Sequence, residues 1–132
     1  MRIRFDVGVG VGVLAALSAF GCARRPSALD VCQKLHAAGV ASDCQNVPPT
    51  GLGAAATESV AFELTELPEH DGTVYRFENA VAYDKTVDAF AAAVALTGPN
   101  RYGSRKALIF VQVNSDAPSD IAANVKRLVE GL

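Results

Sequence analysis

Val60-Ala61-Phe62-Glu63-Leu64-Thr65 and, past Pro68-Glu69-His70-Asp71-Gly72, Val74-Tyr75-Arg76-Phe77-Glu78 decide how the chain is read. In the first run Val60, Phe62 and Leu64 alternate with Ala61, Glu63 and Thr65, the period-2 pattern of a half-buried strand. In the second, Tyr75 and Phe77 point one way and Val74, Arg76 and Glu78 the other. The Pro- and Gly-bearing stretch between them predicts the loop of a hairpin. Pairing Leu64 with Tyr75 and Phe62 with Phe77 stacks apolar on aromatic and sets Glu63 opposite Arg76, so one register satisfies both apolar and charged pairs.

Working outward, Ser27 and Asp30 have capping-box spacing at the start of a first helix. Ala28, Val31, Leu35 and Ala38 recur at helical intervals, and Gly39 is placed to end it. Residues 45–59, rich in Pro and Gly, read as a loop. Within them Gly51-Leu52-Gly53-Ala54 has no strand before it and no helix opening at it, so it reads as a connector and not as a dinucleotide loop. Downstream, a helix is expected from about Asp84, its cap, to Leu96, with Tyr83, Val87, Phe90 and Val94 as its stripe. The strongly apolar run Ala107–Val113 predicts a strand buried on both faces. A last helix carries Ile121, Val125, Leu128 and Leu132. The predicted fold is α+β: a two-layer sandwich with a three-stranded sheet and about three helices, in the order α-β-β-α-β-α, closed by a right-handed β-helix-β crossover.

Upstream of this domain the chain has the three-part layout of a secretory signal. Met1-Arg2-Ile3-Arg4 is basic, Val7 to Ala23 carries no charge, and small residues crowd the end of that stretch. The run closes Leu17-Ser18-Ala19-Phe20-Gly21-Cys22, which resembles the lipobox of bacterial lipoproteins. The resemblance covers the leader alone. It implies that residues 1–21 are a signal peptide and that Cys22 takes a diacylglycerol and further palmitate-type acyl chains. Cys22 would then start the mature chain, with residues 22–26 as a tether and 27–132 as one domain. By the sorting rule of that family, Ala23 after the cysteine implies the outer membrane, facing the periplasm or the cell surface. Several acyl chains, each methylene adding about 0.8 kcal/mol, give a stable anchor. The alternative is an ordinary signal, cut at a small-x-small site near Gly21 or Ala23, which would release a freely secreted protein.

Three cysteines occur in the 132 residues. Setting Cys22 aside leaves Cys32 and Cys44 as an even pair, expected to form a disulfide in an oxidising compartment. A competing reading makes Cys32, His36 and Cys44 a metal site. Cys32 and His36 share a helix face, and three ligands with an open position are the pattern of catalytic zinc. That would make the chain a small envelope enzyme or metal protein.

Removing 21 of the 132 residues leaves 111, and because the leader holds Arg2, Arg4 and Asp6, the whole-chain charge of −2 becomes −3. Such a chain has no basic excess for nucleic acid. Its basic cluster surrounds Arg101, Tyr102, Arg105 and Lys106, able to contact phosphate headgroups, acidic glycans or an acidic partner. The alternative is a solvated loop flanking an apolar strand. Glu58, Glu63, Glu66, Glu69 and Asp71 read as a solvated acidic face. No serine sits in a nucleophile-elbow sequence, and the two histidines, His36 and His70, fall in a helix and a hairpin loop. No cofactor is implied. The expectation is a lipid-anchored, non-catalytic binding or interaction module whose partner is an envelope protein or polymer.

Overall fold

The computed structural model describes residues 24–132; the leader and Cys22 lie outside the described residues. Helix α1 spans Ala28–Ala37, with the Ser27 hydroxyl accepting from the Asp30 N–H and the Asp30 carboxylate accepting from the Ser27 N–H, both at 3.0 Å. The capping box is as expected, and Gly39 after the helix has φ +79°. Strand β1 (Ala41–Val47), a 3-10 turn (Gly51–Gly53), β2 (Glu58–Leu64) and β3 (Leu67–Arg76) follow. Then come α2 (Ala80–Ala92), the short α3 (Val94–Thr97), β4 (Arg101–Ser104), β5 (Ile109–Val113) and α4 (Ser119–Glu130).

The five strands form one antiparallel sheet in the order β1-β2-β3-β5-β4, which overturns the expected three-stranded sandwich. Because β5 pairs with β3 antiparallel, no direct parallel crossover joins neighbours. The expected two layers are corrected as well. Under α1 and α4 lies a mainly aliphatic core that includes Val31, Leu35, Val60, Val74, Ile109, Val111 and Val125, with the ring of Phe62 among them. Under α2 lies a smaller core of Phe77, Tyr83, Phe90, Leu108 and Phe110. Strand β5 feeds both, Ile109, Val111 and Val113 to the first and Phe110 to the second, as its apolar pattern predicts. It starts at Ile109, however: Ala107 and Leu108, expected in the strand, belong to the turn before it.

The hairpin exists, in another register. Phe62 pairs with Gly72, Val60 with Val74 and Glu58 with Arg76, and the turn is Thr65-Glu66, so Pro68 to Gly72 belong to the strand. The expected Leu64–Tyr75 pairing is off by five residues, an odd number, which sends Tyr75 to the face opposite Phe62. Gly72 explains the choice: a Cβ there would collide with the Phe62 ring, so glycine leaves the space into which that ring lies. Arg76 pairs with Glu58 at 2.7 Å, and Glu63 faces Asp71. Helix α2 starts four residues before Asp84. Its cap is Asn79, whose side chain accepts from the Ala82 N–H at 2.9 Å, and it breaks at Ala93 before reaching Leu96.

Strand β1 carries an extra residue between Ser42 and Gln45, where Asp43 takes φ +54°. Ala41 faces the α1 core, so strict alternation would turn Asp43 inward and Cys44 outward. The bulge shifts the phase by one, and Cys44 comes round to α1. There it is bonded to Cys32, S–S 2.05 Å, Cα–Cα 6.1 Å. Among the described residues no helix is long and apolar enough to cross a membrane.

Candidate binding site

The bond between Cys32 and Cys44 uses both thiols, so the metal reading of Cys32, His36 and Cys44 has lost two of its ligands. His36 Nδ1 lies 2.9 Å from the Ala41 carbonyl, tying the end of α1 to the start of β1. It acts as a local brace between helix and strand.

The basic residues singled out in the sequence are divided by the fold. Arg101 and Tyr102 are neighbours in β4, so their side chains leave on opposite faces of the sheet. Tyr102 packs against the aliphatic core, and its hydroxyl donates to Asn100 Oδ1 at 3.3 Å. Burial pushes that hydroxyl's pKa up. Arg105 and Lys106 sit in the four-residue turn between β4 and β5, away from both.

At this turn the chain converges from three directions. Two adjoining hollows, of about 580 and 780 Å³, share Arg25 and Lys106 in their walls. Glu78, Asn79, Ala80, Arg105 and Leu108 complete the first; Arg24, Pro26, Arg76, Ala107 and Leu132 complete the second. Arg24, Arg25 and Arg76 are the members that sequence reading missed, because no local spacing brings residue 25 to residue 106. The link is a hydrogen bond: Arg25 Nε donates to the Lys106 carbonyl at 3.1 Å.

Three of these cations are differently engaged from the other two. Arg76 is held by Glu58 at 2.7 Å, and Glu58 also accepts from the Ala28 N–H at 3.1 Å, so one carboxylate joins β2, β3 and the start of α1. The Arg76 Nε is buried without a partner. Arg105 forms a fork with Asp84, at 3.0 and 3.2 Å. This hydrogen-bonded pairing lowers the Asp84 pKa and raises that of Arg105. Among the described residues neither Arg24, Arg25 nor Lys106 has a carboxylate within salt-bridge distance.

The turn that presents Arg105 and Lys106 is rigid for a reason visible in its backbone. Leu108 adopts φ +57°, a left-handed conformation that costs a bulky residue about 1–2 kcal/mol. It is held there from three sides: its side chain is buried in the aromatic core, its N–H donates to the Arg105 carbonyl at 3.3 Å, and its carbonyl accepts from the Phe77 N–H at 2.9 Å. The arrangement sets the exposed cations Arg24, Arg25 and Lys106 beside the apolar Pro26, Ala107 and Leu132, which suits recognition of an anion. Glu78 is the one carboxylate among the residues lining the two hollows.

No family model, no curated protein and no solved structure matches the chain.

Proposed function

We propose that this is a lipid-anchored protein of the bacterial cell envelope, held by acyl chains on Cys22 and serving as a non-catalytic binding or interaction module. The observation that carries the reading is how the cysteines divide. Cys32 and Cys44 bond to each other, as befits an oxidising compartment, which leaves Cys22, at the end of the lipobox-like run, as the one cysteine free for modification. Two acyl signals or more make such an anchor stable where a single chain is marginal.

The test is the intact mass of the protein taken from membranes, with and without reduction before alkylation, beside a Cys22→Ala variant. The expected product starts at Cys22, carries acyl mass, and exposes two thiols only after reduction. A soluble, unacylated product would make it a freely secreted protein. Thiols on Cys32 and Cys44 that alkylate without reduction would remove the disulfide and the compartment argument with it.

A further inference from the structure

We infer that the basic hollow at the β4–β5 turn docks onto the anionic phospholipid headgroups of the membrane in which Cys22 is anchored. The inference rests on that anchor and says what the domain does with it. Five basic residues line the two hollows: Arg24, Arg25, Arg76, Arg105 and Lys106. Glu58 and Asp84 neutralise two of them and Glu78 adds one negative charge to the first hollow's wall, which leaves a positive balance. Arg24, Arg25 and Lys106 are exposed and without a carboxylate within salt-bridge distance among the described residues. This positive patch stands out in a chain whose formal charge is −2.

Its position decides the ligand. Arg24 follows Cys22 by two residues, so an extended chain puts their Cα atoms within about 7 Å. The acylated residue therefore holds Arg24 within about one Debye length of the anchoring point at physiological salt, about 8 Å, and brings the patch that Arg24 belongs to toward the bilayer. The hydrogen bond from Arg25 to the Lys106 carbonyl keeps the segment leaving the anchor against the turn, and Lys106 lines the same hollows as Arg25. A soluble anion would be met by the same cations, but nothing would hold it near them. The lipid surface is present at the high effective concentration that a short tether confers.

The experiment uses the full chain from membranes, reconstituted either in vesicles of phosphatidylcholine or in vesicles of phosphatidylcholine and phosphatidylglycerol in equal parts. Lysines are acylated with a water-soluble reagent, and the rate at Lys106 is read by mass spectrometry against Lys34, Lys85 and Lys126 in the same molecule. With each basic residue at an anionic surface contributing about fivefold, Lys106 should react about fivefold more slowly on the phosphatidylglycerol vesicles while the other three are unchanged. Salt at about 1 M, where the Debye length is near 3 Å, should abolish the difference. Arg24→Gln and Arg25→Gln should each weaken it without altering the unfolding temperature. Equal Lys106 rates on the two vesicles overturn the inference. So does slowing by inorganic phosphate or by a soluble acidic glycan on phosphatidylcholine vesicles when phosphatidylglycerol has no effect. The intact mass of the same sample separates the two levels: acyl mass with no lipid-dependent shielding refutes the docking alone, and absent acyl mass refutes the anchor.

Discussion

The two halves of the sheet are built to different rules. The β3–β5–β4 half is covered on both faces, by aliphatic side chains beneath α1 and α4 and by an aromatic cluster beneath α2. There Tyr75, Phe90 and Phe110 meet with ring centroids 5.0–6.4 Å apart, and Phe77 meets Tyr83 edge-on at 5.8 Å. The β1–β2 half is covered on one face only. Val60, Phe62 and Leu64 look into the core, while the reverse side carries Ala61, Glu63 and Gln45, beside Asp71 in the exposed first half of β3, at an open surface. The doubly covered half tolerates apolar residues at every position, whereas the singly covered half must alternate. Its edge strand, β1, must in addition be polar enough to remain soluble.

The sharpest way to break this contrast is within one strand. Phe62→Ala should cost about 3–5 kcal/mol, read by denaturant unfolding, because a fully buried ring is lost. Its neighbour Glu63, on the open side, should cost under about 0.5 kcal/mol as Glu63→Ala, and relief of the facing Asp71 tends to stabilise. Comparable losses at both positions would mean that the open side is covered after all.

Next in size is the disulfide, which closes a separation of 12 residues and fastens the edge strand to α1. The Cys32→Ala, Cys44→Ala pair should lose about 3 kcal/mol. The singly covered half should show it first, as faster hydrogen exchange in β1 than in β5. Smaller again is the Glu58–Arg76 pair, whose side chains are each about a third exposed. A double-mutant cycle should give a coupling of about 1 kcal/mol or less, while the same cycle between Glu63 and Arg76 should give none.

The smallest effect belongs to Asp84. Its fork with Arg105 holds its pKa below the ordinary value of 3.8, so the pairing favours the folded chain above that pH and is lost as pH falls through the lowered value. A carboxyl titration followed by NMR should show Asp84 titrating below the reference, and Arg105→Ala should return it upward.

The same contrast explains which parts could be read from the chain. The Ile109–Val113 part of the Ala107–Val113 run was legible because two covered faces leave apolar residues on both sides of the strand, and α1 was legible because Ser27 and Asp30 act within four residues of each other. The pairing of Cys32 with Cys44 follows from counting. Strand β1 was hidden: Ala41–Val47 is polar, sits at an edge and holds a bulge, so no alternation survives. Strand β4 was hidden by its brevity and by Gly103, which lies under the Tyr83 hydroxyl. The hairpin register failed on turn chemistry. Pro68 and Gly72 look like a loop, yet the turn is Thr65-Glu66, and Gly72 serves the Phe62 ring. In the site, Arg105 and Lys106 could be picked out as a local cluster. Arg24, Arg25 and Arg76 could not, since what gathers them is the folding of distant segments.

Leu132 lines the same hollow as Arg24 and Arg25. Both ends of the described chain therefore emerge side by side. Any affinity tag or fluorescent protein appended after Leu132 would start its course in that hollow and crowd whatever approaches it. A reporter inserted at Thr65-Glu66, in the exposed β2–β3 turn, would leave the hollow's lining intact. The choice of labelling site is thus itself an experimental variable.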